Sequence, residues 1–170
     1  RFRFTAKRTM MVAQQLYEGV DIGEEGTVGL ITYMRTDSVR LSTDAVDAAR
    51  AYIHEAFGED AVPGKPNIFK SRKGAQDAHE AIRPTSVRYL PDPVGKYLTP
   101  DQRKLYRVVW ERFVASQMKP AVYDQTAVTV EAGRHTLRVS GSVLKARGWL
   151  EATDDQAAAG VHHALDGGIN

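Results

Sequence analysis

At Pro120 the hydrophobic period of this chain changes, and that change limits the available folds more than any other feature. Up to about residue 119, apolar residues recur every three or four positions, the spacing of helices with one buried face. Beyond it Val122, Thr126, Val128 and Val130 fall on alternating positions, as in a half-exposed strand. The expected class is therefore α+β: a mainly helical domain over residues 1–119, then a short antiparallel β-rich domain over 120–170. At 170 residues, 42% hydrophobic and 26% charged, the chain has the composition of folded protein.

Local signals divide the helical part. TAKRTMMVAQQLYEG predicts a first helix with Met10, Ala13, Leu16 and Tyr17 on one face and Gly19 as its stop. DIGEEGTVG reads as a glycine-rich turn, GLITYM as a short strand and RTDSVRLS as a polar turn. STDAVDAARAYIHEAFG predicts a second helix, capped by Ser42 or Thr43 and ended by Gly58, with Val46, Ala49, Tyr52, Ile53 and Ala56 inward. Residues 59–74 form a loop, AQDAHEAIRP a short helix stopped by Pro84, and PDPVGKYLTP another loop. The longest helix opens on a capping box, Thr99 with Gln102, and has Pro100 at its first position. Its inward stripe is Leu105, Tyr106, Val109, Phe113 and Ser116 or Gln117. Past Pro120 come one strand, a turn at Ala132-Gly133, a return strand with Leu137 and Val139, and a third at Val143-Leu144 ending near Trp149. The tail TDDQAAAGVHHALDGGIN carries no predicted element.

Composition closes several routes to function. With no cysteine there is no disulfide, thiolate nucleophile or cysteine-held zinc. No apolar run approaches the roughly 20 residues that span a bilayer, and no signal peptide opens the chain, so a soluble cytoplasmic protein is expected. A formal net charge of +2 is too small to announce nucleic acid by itself. The cations are clustered, however: Arg1, Arg3, Lys7 and Arg8; Arg35 and Arg40; Lys70, Arg72 and Lys73. No Walker loop, dinucleotide-binding glycine pattern or H-E-x-x-H occurs, and His162-His163 has no third ligand, so no metal site is assigned.

Chemistry concentrates in ITYMRTDS. A tyrosine phenol, with a free pKa of about 10, is a poor nucleophile until a nearby cation favours phenolate. In an extended segment Tyr33 and Arg35 would lie on one face, so both can address one phosphate, the phenol attacking and the guanidinium forking onto its oxygens. Singly, each residue is most simply an anchor or a surface charge, and Thr36, Asp37 and Ser38 simply cap the next segment. His79 has unusual company: Glu80 beside it and Arg83 one helical turn on. It can donate to a non-bridging phosphate oxygen or act as a general acid, with Arg83 as a phosphate contact.

GLITYMRTDS followed about forty residues later by AHEAIRPT resembles the type IA DNA topoisomerases, bacterial topoisomerase I in particular. AKRTMMVAQQLYEG, QRKLYRVVWERFVASQM and RGWLE extend the resemblance over most of the chain. Methionine rather than proline after the tyrosine is closer to the topoisomerase I branch than to topoisomerase III. The resemblance implies a winged-helix-like domain bearing the catalytic tyrosine, joined to part of a β-rich arch built from two separated stretches. It implies that Tyr33 is the nucleophile that forms a 5′-phosphotyrosine, Arg35 the arginine on the scissile phosphate and His79 the phosphate-stabilising histidine. Arg35, Thr36, Arg83, Lys7 and Arg8 are the expected DNA contacts. The implied partner is single-stranded DNA within negatively supercoiled DNA, handled in the bacterial cytoplasm at the nucleoid by a monomeric enzyme. The implied cofactor is Mg2+, held by a Toprim domain not found in these residues, so the fragment alone is expected to hold no metal and to be inactive.

Two other readings compete. A non-catalytic single-stranded DNA-binding module would use Tyr33 only for base stacking. A tyrosine recombinase also uses Arg, His and Tyr, but there the tyrosine follows the other two, whereas Tyr33 precedes His79.

Overall fold

The structure, a computed structural model, describes residues 2–69 and 79–153, with the backbone alone of 164–166. Its contacts separate one compact unit, Arg1–Met118, from a second, Lys119–Asn170. Among the described residues the fold is α+β, with four α-helices and short antiparallel strands. None of those helices is long and apolar enough to cross a membrane.

In the first unit, helix α1 (Ala6–Glu18) begins at Thr5, whose hydroxyl accepts a hydrogen bond from the Arg8 N–H, and ends at Gly19. It buries Val12, Ala13 and Leu16, whereas Met10 and Tyr17, expected inward, are 49% and 40% exposed. The stripe is narrow because α1 packs mainly against one later helix. The glycine-rich turn is a hairpin loop between β1 (Val20–Asp21) and β2 (Thr27–Val28), with Val20 opposite Val28.

The strand expected at GLITYM joins no sheet. Leu30 and Ile31 are buried, but Ile31 makes a single antiparallel bridge, to Pro84. Proline has no N–H, so the ladder cannot propagate past it. Helix α2 (Thr43–Phe57) settles its cap on Ser42, whose hydroxyl accepts from the Ala45 N–H, and Gly58 stops it in the left-handed region at φ 86°. Ala45, Ala49 and Ile53 face inward, Val46 and Tyr52 are half-buried, and Ala56 is exposed.

The helix expected at AQDAHEAIRP is not found in its described part. Residues 75–78 lie outside the described residues, and so does the basic run Lys70, Arg72 and Lys73. From His79 to Pro84 there is no helical turn, because the backbone groups there bond to other segments instead of to their own neighbours. Within the expected loop 91–100 a short helix forms, α3 (Pro91–Gly95), started by Pro91, whose missing N–H costs nothing at a helix start.

Helix α4 (Pro100–Ser116) shows both halves of the capping box. The Gln102 N–H donates to the Thr99 hydroxyl, and the Thr99 N–H to the Gln102 side-chain carbonyl. Its buried residues are Gln102, Tyr106, Trp110, Glu111, Phe113 and Val114, while Leu105 and Val109 are half-buried. The face is broader and rotated because α4 is packed by α1, α2 and α3 together. Trp110 meets Tyr52 edge-on at 5.3 Å and donates its indole N–H to the Val87 carbonyl. Tyr106, fully buried, donates its hydroxyl to the Tyr89 carbonyl at 2.6 Å, and burial pushes that phenol far above its ordinary value. The end of α4 is closed by a side chain from the preceding loop: the Asn67 amide donates to the Ser116 and Met118 carbonyls, and Gln117 donates back to the Asn67 carbonyl. Those carbonyls would otherwise lack partners at a helix end.

The second unit is a long hairpin, β3 (Val122–Ala132) with β4 (His135–Ala146), turning at Gly133 with φ 61°. Two long strands replace the three short ones expected, since Gly141 stays in the ladder opposite Thr126. The tail, which carried no expectation, contributes β5 (Ala164–Asp166), antiparallel to β4. His162 and His163 lie outside the described residues. Beyond β4, a 3₁₀ turn at Gly148–Ala152 carries Trp149, whose N–H donates to the Lys119 carbonyl and closes the hairpin's base.

Replacing Thr99 with Ala removes one partner of the box and should lower the unfolding free energy by about 0.5–2 kcal/mol. Thermal unfolding of the variant should show a melting point a few degrees lower, and an unchanged one would mean the box adds nothing.

Candidate active site

The candidate site is assembled by threading residues 79–85 between two earlier stretches. On one side, the Thr32 N–H donates to the Arg83 carbonyl at 2.9 Å, and the Thr85 N–H donates to the Leu30 carbonyl at 3.0 Å. The Thr32 hydroxyl donates to the Ala81 carbonyl at 2.8 Å and accepts from the Arg83 N–H at 3.0 Å. On the other side, the Ser38 hydroxyl donates to the His79 carbonyl at 2.7 Å, and the Ala81 N–H donates to the Arg40 carbonyl. Two motifs more than forty residues apart in sequence are thereby locked edge to edge.

Tyr33 and Arg35 are not related by strand alternation, as the sequence suggested. The Arg35 N–H donates to the Tyr33 carbonyl at 3.0 Å, closing a three-residue γ-turn about Met34. Met34 points inward at 8% exposure, and the residues flanking it stay outside, Tyr33 at 52%. The Tyr33 ring meets the Tyr17 ring in a T-shaped contact, centroids 5.3 Å apart. Thr36 and Lys7 are exposed.

Asp37 carries the electrostatics of the site, although the sequence offered it only as a turn residue. Its Oδ2 lies 3.9 Å from Arg35 Nη1 and 3.5 Å from His79 Nδ1. His79 Nδ1 is shielded from solvent and makes no hydrogen bond, so its contact with Asp37 is one of proximity. Nothing in the residue pattern marks Asp37, because its second partner arrives from residue 79 only through the fold.

Arg83 is tied inward. Its Nε and Nη2 donate to the two Glu80 oxygens at 2.9 and 3.1 Å, and its Nη1 donates to the Pro84 carbonyl at 2.8 Å. Its side chain is only 14% exposed, and it does not share a helical face with His79, because no helix forms there. Glu80 also accepts from the Ser42 N–H at 2.9 Å, joining this clamp to the start of α2. Arg8 is engaged as well: its Nε donates to Asp101 at 2.7 Å, and its guanidinium lies over the Phe4 ring.

Among the described residues no three histidine, aspartate or glutamate side chains gather as a metal site. Asp37, the carboxylate beside His79, already pairs with the Arg35 guanidinium, so these residues do not fit a magnesium site and no step is assigned to one.

Partial burial works to raise the Glu80 carboxyl, but hydrogen bonds from Arg83 and Ser42, with the Arg83 charge, outweigh it and hold the group below its ordinary value. A carboxyl depressed in the folded state adds stability above its unfolded pKa, and that stability is lost as pH falls through the folded value. Stability should therefore decline from the ordinary glutamate range downward, and Glu80→Gln should flatten that part of the profile. Denaturant titrations of both proteins across acid pH provide the check; parallel profiles would detach the clamp from acid stability.

The profile of the DNA topoisomerase family matches residues 1–165. The DNA topoisomerase 1 sequences of two Xylella fastidiosa strains, Temecula1 and 9a5c, are each 48% identical to this chain over 154 residues, covering 89% of it and 19% of their own length. The full-length topoisomerase I structure from Thermotoga maritima is similar with a TM-score of 0.71 at 44% identity, covering 89% of this chain and 24% of its own. The chain thus spans about a fifth of the length of the relatives it matches. With the family profile running through both sequence motifs and the hairpin beyond them, the chain belongs to the DNA topoisomerase family.

Proposed function

We propose that this chain is the tyrosine-bearing part of a type IA topoisomerase that cuts and rejoins one DNA strand to relax negative supercoils. The single observation that carries the reading is the half-exposed Tyr33 phenol, set one γ-turn from Arg35, whose guanidinium shares the Asp37 carboxylate with His79. The Tyr33 oxygen attacks the phosphorus, a new P–O bond forms to tyrosine, and the bond to the 3′ oxygen breaks. The phenol gives up its proton to water, the departing oxygen takes one from water and leaves as a 3′-hydroxyl, and the phosphate remains on Tyr33 as a 5′-phosphotyrosine. One phosphodiester replaces another, so the free energy of the bond is kept, resealing is the reverse step and no ATP is needed.

In this reading Arg35 leaves Asp37 for the phosphate, where its planar fork meets two oxygens. Asp37 then stays beside His79, whose ring N–H can donate to a phosphate oxygen as charge builds. Thr36 and Lys7 contact the backbone of single-stranded DNA. Arg8, fixed on Asp101, adds positive potential there, and Arg83 braces His79's segment instead of touching phosphate. We assign Mg2+ to a Toprim domain elsewhere in a longer, monomeric enzyme acting at the nucleoid in the cytoplasm, and the domain boundary to residue 119. The chain by itself is then inactive in relaxation.

Tyr33→Phe in the full-length enzyme should abolish the covalent DNA adduct while leaving single-strand binding nearly intact, because stacking survives and the hydroxyl does not. An adduct that persists would refute the reading and leave the chain a DNA-binding module. Arg35→Ala should slow cleavage by about 10²–10³-fold. Lysine there should restore only part of it, and full restoration would exclude bidentate recognition.

A further inference from the structure

We infer that Tyr17 is a positioning residue for Tyr33, holding the phenol in its attacking orientation from the last turn of α1. The inference rests on Tyr33 being the nucleophile, and it adds a residue that the two sequence motifs do not contain.

The chain runs close beside α1 just before Tyr33. The Leu30 N–H donates to the Leu16 carbonyl at 2.8 Å, and a Cβ added at Gly29 would lie 2.7 Å from the Tyr17 carbonyl oxygen. Gly29 therefore permits a backbone approach that any larger residue would push apart. Four residues later the rings of Tyr17 and Tyr33 meet at 5.3 Å with an interplanar angle of 68°. That edge-to-face arrangement is one of the preferred geometries of aromatic pairs.

The contact matters because Tyr33 is half in solvent. With about half its surface in solvent, a tyrosine on a γ-turn samples several rotamers, and only some present the hydroxyl to a phosphate held by Arg35. Tyr17 sits on a helix whose last turn is secured by the Gly19 N–H donating to the Gln15 carbonyl, so the backbone that carries its ring is held in place beside Tyr33. Tyr17 is itself 40% exposed and contributes little to the core. A core role would have placed it inward with Val12, Ala13 and Leu16.

The test uses a full-length enzyme carrying this chain, with cleavage rate at saturating DNA, DNA affinity and melting temperature measured in parallel. Tyr17→Phe keeps the ring edge and should match the parent. Tyr17→Ala and Tyr17→Leu should slow cleavage by about 3- to 10-fold, with affinity and melting temperature unchanged. Gly29→Ala, which separates the two segments, should slow cleavage in the same direction. Cleavage unaffected in Tyr17→Ala overturns the inference, as does a Phe variant as slow as the Ala variant, which would assign the effect to the hydroxyl. Weakened DNA binding at unchanged saturated cleavage overturns it too, because Tyr17 would then be stacking on a base. Tyr33→Phe, run alongside, separates the two readings: an adduct surviving in that variant removes the nucleophile itself, whereas its loss beside an unimpaired Tyr17→Ala removes only the positioning role.

Discussion

Thr32 stitches the two sequence motifs together, and the candidate site exists only because it does. Its backbone N–H and its hydroxyl together make three close bonds to Ala81 and Arg83. A hydroxyl that both donates and accepts is what the position needs, since one carbonyl and one N–H of the partner segment face it. Beside it, Leu30 and Ile31 are essentially fully buried, each contributing about 1.5–3 kcal/mol by leaving water. Apolar burial thus supplies the adhesion, and Thr32 and Ser38 set the alignment from either side.

Charge is arranged around that seam in two layers. Outside, Asp37 stands between Arg35 and His79, neither at hydrogen-bond quality, which leaves the Arg35 guanidinium open to a stronger anion. Inside, Glu80 and Arg83 form a two-pronged pair that also reaches the first residue of the α2 cap. The inner pair is satisfied and braces; the outer one is loose and exchangeable. Hydrogen-bond geometry, not residue type, separates the loosely paired Arg35 from the braced Arg83.

The hairpin of the second unit has a different logic. Val128, Val130, Leu137 and Val143 share one face of the ladder and are 47–65% exposed. Alternation in sequence gave the strands correctly, because alternation reports pleat and not burial. The number of strands was misjudged, because Gly141 is a paired position and the segment counted as a third strand continues β4.

The sequence by itself determined the α+β class, the starts of α2 and α4, and the chemical character of Tyr33, Arg35 and His79. Caps and period depend only on residues within one turn of each other, so Thr99 with Gln102 and Ser42 with Ala45 are legible without a fold. Only the tertiary structure decided that His79 and Arg83 leave the helix their spacing allowed, that Met34 bends the chain between Tyr33 and Arg35, that Asp37 lies beside His79 and that the Tyr17 ring meets Tyr33. Apart from the local turn at Met34, each of those outcomes rests on a bond or contact between residues far apart in the chain, and local spacing carries no record of which distant partner will be there.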